Sequence, residues 1–317
     1  MAMRTLGGRY ELEQRAGLGG MSEVWRAHDR VLDRTVAVKL ISPALDGDAG
    51  SVDRIRAEAR SAARLVHPNV ASVHDFGTAT LPDGRPVPYI VMELAEGETL
   101  AAHLRNGPLD WRIAVRVCAE VCAALAAAHA HDIVHRDVKP ANVILTPCGV
   151  KVLDFGIATP AGAPDHTPDG VVVGTPAYLA PEQLDRRPAT PAADMYALGV
   201  LLYYCLTGEL PYEAGTTTQL LGSRRRRPPR PLPEVPGLPG EVAELVRRCL
   251  DADPCARPTS PMAALLLAEA VDARVYVPMT AMLPRQRAPQ VSPWTSRAAA
   301  EATEAMAVDA APGGRIG

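Results

Sequence analysis

The fold is decided by the sequence HRDVKPAN at residues 135–142 and by what stands around it. It follows a helical repeat of apolar residues that runs from Trp111 to His131. Twelve residues after Asn142 comes DFG at residues 154–156. Together the two motifs offer two carboxylates, an amide oxygen and an ammonium group. An ammonium is a compact charge that a guanidinium does not replace, so Lys139 makes this region the first candidate site.

Other motifs precede and follow this region in a definite order. A glycine-rich turn, GLGGMSEV, occupies residues 17–24, and VAVK at 36–39 places a lysine at the end of a strand. Glu58 lies on the next helix, and APE at 180–182 closes the series. A glycine-rich turn lets backbone N–H groups close over phosphates, because a Cβ atom would hold the anion away. Alone it is weak evidence, and it gains weight from its place in the series.

Lysine is nearly absent from this chain. Of 33 lysines plus arginines only Lys39, Lys139 and Lys151 are lysines, which leaves thirty arginines. A lysine that remains is a candidate for chemistry that a flat guanidinium cannot perform. Lys39 and Lys139 fall within the motifs. Lys151 has no chemical role that the sequence indicates, and we expect it to be a charge at a strand edge.

Composition excludes several classes of protein. An apolar fraction of 47% argues against wholesale disorder, and a net charge of −3 argues against a dedicated nucleic-acid binder. The six cysteines show no Cys-x-x-Cys spacing, so we expect Cys118 and Cys122 to be core thiols rather than metal ligands. No signal core precedes Gly8, and the longest apolar stretch, Met195 to Leu206, is about half of the ~20 residues that a membrane span needs. We therefore expect a cytoplasmic protein without a membrane span.

The distribution of patterns predicts two lobes. Residues 10–94 read mostly as strands, interrupted by one helix with apolar positions from Ser51 to Val66. Residues 95–272 read as mainly helical. Strands followed by helices predict an α+β fold. Residues 273–317 form a tail rich in proline and alanine, which we expect to be disordered or only partly helical.

The ordered motifs resemble the protein-kinase signature. From Tyr10 to about Ala270 the chain is similar to the bacterial eukaryotic-type serine/threonine protein kinases. The resemblance implies a bilobal kinase domain at residues 10–272 that transfers the γ-phosphate of ATP to serine or threonine hydroxyls of proteins. Lys139, two residues after Asp137, is typical of serine/threonine rather than tyrosine kinases.

The resemblance also implies a role for each motif. Lys39 would hold the α- and β-phosphates, and Glu58 would pair with Lys39. The other reading of Glu58 is a surface pair with Arg54. Asp137 would act as the base and Lys139 would neutralise the γ-phosphate. The metal ligands would be Asn142 and Asp154, for Mg²⁺ or, alternatively, Mn²⁺.

The nucleotide site follows from the same resemblance. Apolar side chains would enclose the adenine, the glycine-rich turn would cover the phosphates, and the backbone of the segment after Met92 would bind the purine edge. Ser22 replaces the third glycine of the turn, and Ala16 leaves a shallower roof than the larger aliphatic residue usual there. The full set is Ala16, Gly17, Leu18, Gly19, Gly20, Met21, Ser22, Val24, Ala37, Lys39, Met92, Glu93, Ala95 and Ile144.

Regulation is expected in the loop from Asp154 to Glu182. In the family, the arginine before the catalytic aspartate, here Arg136, binds a phosphate on this loop, although Arg136 could instead cap local carbonyls. We expect Thr167 to be the autophosphorylated residue and Thr175 to contact the catalytic loop. Autophosphorylation would involve a homodimer, and phosphothreonine-binding modules are further expected partners.

Other residues are expected to support the loops. Asp194 resembles the buried aspartate that anchors the catalytic loop, and Arg257 resembles the partner of Glu182. His129 is expected in the core, and His135 is expected to support its own loop rather than to act as a base.

Two readings remain open beside the active kinase. A pseudokinase scaffold would usually lack the equivalents of Lys39, Asp137 or Asp154, and all are present. A small-molecule phosphotransferase would generally lack the Ala-Pro-Glu ending. The arginine run at residues 224–227 could be an acidic-substrate dock or a nucleic-acid patch, but a solvated loop is the plainer reading.

Overall fold

The computed structural model describes residues 5–18, 22–41, 50–80, 84, 86–155, 176–185, 188–212 and 228–282. The expected α+β architecture is confirmed: a lobe built on a sheet precedes a lobe built mainly of helices. All described residues belong to one compact unit that ends at Met282. The side chains of Leu18, Arg54 and Glu58 lie outside the described part of the structure, although their backbone is placed.

The first lobe is an antiparallel sheet with the strand order β1-β2-β3-β4-β6-β5. Its middle strands carry the residues on which the site depends. The strands are β1 Thr5–Leu6, β2 Tyr10–Leu18, β3 Ser22–Asp29, β4 Arg34–Ile41, β5 Val73–Thr80 and β6 Pro86–Met92.

Strand β4 shows how the sequence positions Lys39. Val36 and Val38 pack into an apolar cluster on one face of the sheet, and Ala37 and Ile41 pack into a second cluster on the other. Because successive side chains of a strand point to opposite faces, Lys39 shares the face of Ala37 and Ile41. The alternation that makes the strand therefore also aims the lysine.

Helix α1, Gly50–Ala62, packs on this second face through Ala59 and Ala62. The sequence predicts that the helix continues to Val66, and this is wrong: Val66 is 86% exposed. The chain leaves the helix after Ala62, and Leu65 enters the core in place of Val66. Pro68 follows, and it disfavours helical geometry at His67 directly before it.

A smaller sheet lies under the first lobe. It contains β7 Glu98–Thr99, β8 Val143–Thr146 and β9 Gly149–Val152. A 3₁₀ turn at Pro140–Asn142 directly precedes β8. Val152 N–H donates to Asn69 O at 2.8 Å, and Ala71 N–H donates to Val152 O at 3.0 Å. These backbone bonds fix the strand that leads into Asp154 against the loop after α1.

The second lobe is built around two buried helices, α3 at Trp111–Ala130 and α5 at Pro191–Thr207. Helix α3 packs against α5 and against α7 (Ser260–Ala270). Among the described residues α3 is long and apolar enough to cross a bilayer, but 83% of it is buried inside the fold, so its apolarity is explained by core packing. The helices are α2 Leu100–His103, α3 Trp111–Ala130, α4 Pro181–Leu184, α5 Pro191–Thr207, α6 Gly240–Cys249, α7 Ser260–Ala270 and α8 Met279–Met282.

The prediction that Cys118 and Cys122 are core thiols is confirmed. Both are free and buried on α3, close to Cys205 on α5 and Cys249 on α6. Burial raises the pKa of Cys249 to about 12. A buried thiol with a raised pKa is inert and behaves as a small apolar residue.

The folded body extends further than the sequence predicts. Residues 273–282, expected in the tail, belong to the compact unit. His67 Nε2 donates to Tyr276 O at 2.8 Å, and α8 packs beside α3. The segment is held by long-range contacts that have no periodic signal in the sequence. The remainder of the predicted tail, 283–317, lies outside the described residues.

Candidate active site

Three side chains of the HRDVKPAN loop converge. Lys139 Nζ lies 2.6 Å from Asp137 Oδ2. Asn142 Nδ2 donates to the same oxygen at 3.0 Å and to the Asp137 carbonyl at 2.8 Å. The 3₁₀ turn that begins at Pro140 brings Asn142 back toward Asp137. Because the Asn142 amide nitrogen is directed at Asp137, its amide oxygen is left as the ligand atom.

This loop is held from below by Asp194 on α5, as the sequence predicts. The backbone N–H groups of His135 and Arg136 each donate to the Asp194 carboxylate at 2.8 Å, and His129 Nε2 donates to it at 2.8 Å. Burial alone would raise the pKa of Asp194, but these donors lower it below its ordinary value. Arg136 has a positive φ of 70°, an unfavourable conformation that the fixed carboxylate maintains.

His129 is a core histidine, as expected. Its ring bridges Asp194 and Ser260, the first residue of α7, with 2.8 Å on each side. All three residues are buried. The arrangement joins α3, α5 and α7 beneath the catalytic loop and has no access for a substrate.

His135 links the two halves of the site. Its Nε2 donates to Leu153 O at 2.8 Å, while Asp137 N–H donates to its Nδ1 at 3.2 Å. Its ring also contacts Phe155, with centroids 4.6 Å apart. Both ring nitrogens are occupied, so His135 is a positioning residue and not a base, in agreement with the sequence analysis.

Lys39 and Asp154 meet across the cleft. Lys39 Nζ lies 2.8 Å from Asp154 Oδ1, and the two side chains are 12% and 29% exposed. Lys39 comes from β4 and Asp154 follows β9, so the pair joins the two sheets. The predicted partner Glu58 lies on α1, but its side chain falls outside the described part of the structure. The pairing of Lys39 with Glu58 therefore stays a prediction.

The residues expected around the adenine are partly placed. Val24 and Met92 pack in one cluster with Ala37, and Ala37 pairs directly with Met92 across β4 and β6. Ile144 lies on β8, where it is 8% exposed. Ala16 and Gly17 lie on β2, and Ser22 begins β3. The turn residues Gly19, Gly20 and Met21 lie outside the described residues.

The segment after β6 keeps polar groups available. Glu93 N–H donates to Ser72 O at 2.8 Å, which fixes the direction of that peptide. Within the described part of the chain, the Glu93 carbonyl and the Ala95 N–H make no hydrogen bond. An acceptor and a donor two residues apart can bind the edge of a purine.

Two polar contacts near the site carry no signal in the sequence. Lys151 Nζ lies 2.7 Å from Glu93 Oε1, so it is not the plain strand-edge charge that the sequence predicts. On α3, the buried Glu120 accepts from Val150 N–H at 2.6 Å and from Asn69 Nδ2 at 3.2 Å. Each contact spans many residues of sequence, which is why spacing could not reveal it.

The expected pair of Glu182 and Arg257 is confirmed. The guanidinium donates to both carboxylate oxygens at 2.7 and 2.8 Å, and both residues are buried. The pair joins α4 to the segment before α7. The two regulatory threonines, Thr167 and Thr175, lie outside the described residues, whereas Arg136 is half-buried beside the catalytic loop.

The side chains that are present fit a divalent cation held jointly with phosphates. Asp154 offers a carboxylate and Asn142 an amide oxygen, both hard ligands. Among the described residues no three His, Cys, Asp or Glu side chains form a metal-binding group by themselves. A divalent cation that takes one or two carboxylates can complete its shell with water and substrate phosphates.

Known proteins of one family are similar to this chain over most of its length. The family model for the protein kinase domain matches residues 10–270. Serine/threonine-protein kinase PknA of Mycobacterium tuberculosis is 42% identical over 255 residues, which cover 80% of this chain and 59% of that protein. PrkC of Bacillus subtilis is 36% identical over 254 residues, 79% of this chain and 38% of that kinase. PknB of Mycolicibacterium smegmatis is 42% identical over 230 residues, 71% and 37% respectively. The matched part of this chain thus covers less than two thirds of the length of each of these relatives.

Proposed function

Because the chain belongs to the protein kinase family, we propose that it is an ATP-dependent serine/threonine protein kinase that acts on protein hydroxyls. The arrangement of the site carries the proposal: Lys139 and Asn142 both contact the Asp137 carboxylate, and Lys39 meets Asp154 in the same fold. A pseudokinase is not favoured by any feature of this site.

Each of these residues has a separate role in the proposed reaction. The acceptor oxygen forms a bond to the γ-phosphorus of ATP, the bond from that phosphorus to the bridging oxygen breaks, and ADP leaves. Asp137 orients the hydroxyl and takes its proton. Lys139, 2.6 Å from Asp137, offsets negative charge on the transferred group. Bound Mg²⁺, which we favour over Mn²⁺, supplies charge neutralisation at the phosphate oxygens.

Lys39 positions the nucleotide before transfer. A compact ammonium with three donors can approach the α- and β-phosphates, and its pairing with Asp154 places it next to the proposed metal ligand. Phosphoryl transfer depends on positioning and charge more than on covalent chemistry by the protein. The anchored catalytic loop supplies that positioning.

We further propose that the chain phosphorylates its own loop at Thr167, within a transient homodimer. Arg136, half-buried beside the catalytic loop, is a guanidinium that a phosphate could engage. Mass spectrometry after incubation with Mg-ATP should find phosphate on Thr167, and phosphate found only outside residues 154–182 would contradict this. Phosphothreonine-binding modules would then be candidate partners, and the cytoplasm the site of action.

The kinase activity is tested by the Asp137→Asn variant. Incubation with γ-labelled ATP and a mixed serine/threonine peptide library should label peptides with the wild type and not with the variant. Asp53→Asn, on the exposed surface of α1, is the matched control and should keep activity. Label that persists in Asp137→Asn would contradict the assigned mechanism.

A further inference from the structure

The segment of residues 273–282, which we call the C-terminal strap, follows helix α7. The family match ends at residue 270, so the strap lies outside the part of the chain that the family model describes. It is nevertheless packed on the fold, because Val275 and Val277 are partly buried against the main apolar core. Its position on the fold therefore does not follow from membership of the family.

The contact between the strap and the loop after α1 is made by His67, which is buried. Its Nε2 donates to Tyr276 O at 2.8 Å, and the centroids of the two rings lie 5.4 Å apart. Its Nδ1 accepts from Asn69 N–H at 3.1 Å. Because one ring nitrogen donates and the other accepts, a neutral imidazole satisfies both contacts at once. One rigid ring thus joins the strap to Asn69.

Asn69 in turn holds the strand that leads into Asp154. The carbonyl of Asn69 accepts from Val152 N–H at 2.8 Å. Its side-chain amide donates to Val150 O at 2.9 Å and to the buried carboxylate of Glu120 at 3.2 Å. A buried polar group that loses its partner is costly, so the position of β9 follows the position of Asn69.

Two further hydrogen bonds lead from the end of β9 into the catalytic loop. Leu153 N–H donates to Asn142 O at 2.9 Å, and His135 Nε2 donates to Leu153 O at 2.8 Å. Asp154 is the next residue along the chain. An unbroken series of hydrogen bonds and peptide bonds therefore joins the strap to both proposed metal ligands.

We propose that the C-terminal strap positions these ligands: through His67 it fixes Asn142 and Asp154 where they hold the cation that bridges the phosphates of ATP. This rests on the kinase activity proposed above, in which positioning of the phosphates is decisive. Release of the strap lets β9 shift, so Mg-ATP binds more weakly. ATP without the metal does not depend on these two ligands, and its binding stays nearly unchanged.

The test releases the strap in the full chain by the paired substitution Val275→Asp/Val277→Asp, which places two carboxylates against the apolar core. Isothermal titration calorimetry gives the Kd for ATP with Mg²⁺ and with EDTA in its place. Release should raise the Kd for Mg-ATP by about fivefold, and that for metal-free ATP by less than about twofold. The control Met262→Asp/Leu265→Asp adds the same charge at exposed positions of α7 and should change neither value.

A second variant asks whether the strap acts through His67. His67→Phe keeps a ring at this position but removes both hydrogen bonds, so it should raise the Kd for Mg-ATP by the same factor as strap release. Combined with Val275→Asp/Val277→Asp, it should add little, since both changes break the same connection. Independent effects would instead multiply to about 25-fold, and that result would overturn the proposal.

Two other results also contradict the strap's role: an unchanged Kd for Mg-ATP after release, and an equal rise with and without Mg²⁺. If the released variant melts below the assay temperature, Val275→Ala/Val277→Ala, which removes packing without adding charge, takes its place in the same comparison. Phosphorylation by a released variant whose Mg-ATP binding is unchanged overturns the strap's role alone. Normal Mg-ATP binding by a wild type that labels no peptide contradicts the kinase activity instead.

Discussion

Lys151 Nζ lies 2.7 Å from Glu93 Oε1 and joins the strand that leads into Asp154 to the segment that follows Met92. The other carboxylate oxygen of Glu93 accepts from Ser72 N–H at 3.2 Å. The Glu93 carboxylate is thus held on both sides. The pair therefore connects the strand before Asp154, a proposed metal ligand, to the segment that we propose binds the purine.

The Lys151→Met variant should raise the KM for ATP by about two- to fivefold with little change in kcat. The pair is 21% and 31% exposed, and partly exposed ion pairs contribute roughly 0.2–1 kcal/mol. Steady-state kinetics with varied ATP provide the measurement. The Arg247→Met variant, which breaks the exposed pair with Glu244, is the control. If Lys151→Met and Glu93→Gln acted additively in the double variant, the pair would not be the cause.

The Lys39→Arg variant should keep the charge and lose most activity, with kcat/KM lower by about 10²-fold or more. Lys39 is 12% exposed and lies 2.8 Å from Asp154. A planar guanidinium is larger and cannot replace a compact ammonium there. Activity and melting temperature should be measured together, since an unchanged melting temperature assigns the loss to chemistry. Arg56→Lys on α1 is the matched control, and near-normal activity of Lys39→Arg would refute the assigned role.

The Glu182→Gln variant should destabilise the protein by about 3–5 kcal/mol, because it leaves the buried Arg257 guanidinium without its counter-charge. Both carboxylate oxygens of Glu182 accept from Arg257. The free energy of unfolding in denaturant measures the effect. Glu244→Gln, which removes a comparable but exposed partner of Arg247, should change stability only slightly. Equal effects of the two variants would show that burial is not what makes the pair matter.

Acidification should destabilise the protein through His67. Burial lowers the pKa of His67, the Lys151 charge acts in the same direction, and the hydrogen bond to Tyr276 opposes both. In the unfolded chain, His67 therefore takes up a proton near pH 6.5, whereas in the folded chain it does so only at lower pH. The free energy of unfolding therefore has its full value above that pH and falls as the pH drops below it. His74, whose pKa is also lowered by burial, adds to the effect.

The measurement for this prediction is the melting temperature between pH 7.5 and 5. The His67→Gln variant should show a shallower fall than the wild type, while the exposed His131→Gln variant should follow the wild type. If His67→Gln kept the full slope, the acid sensitivity would belong to other groups.

Much of the fold and site could be predicted where the signal is local. The β4 alternation that aims Lys39 and the loop that joins Asp137 to Asn142 are short-range patterns. Where contacts between distant segments decide, prediction failed: Val66 is exposed because Leu65 took the core position. Residues 273–282 are held to the fold by contacts such as the hydrogen bond from His67 to the Tyr276 carbonyl, and no periodic pattern in the sequence predicts that contact.

The sequence by itself determined the chemistry: which side chains are available, in what order they stand and which strands and helices carry them. Only the tertiary structure decided which of them meet. Lys39 reaches Asp154, and Lys151 reaches Glu93, because two sheets come together around the loop after α1. The physical reason is that hydrogen bonds and ion pairs act over about 3 Å between atoms in space, whereas the sequence records only distance along the chain.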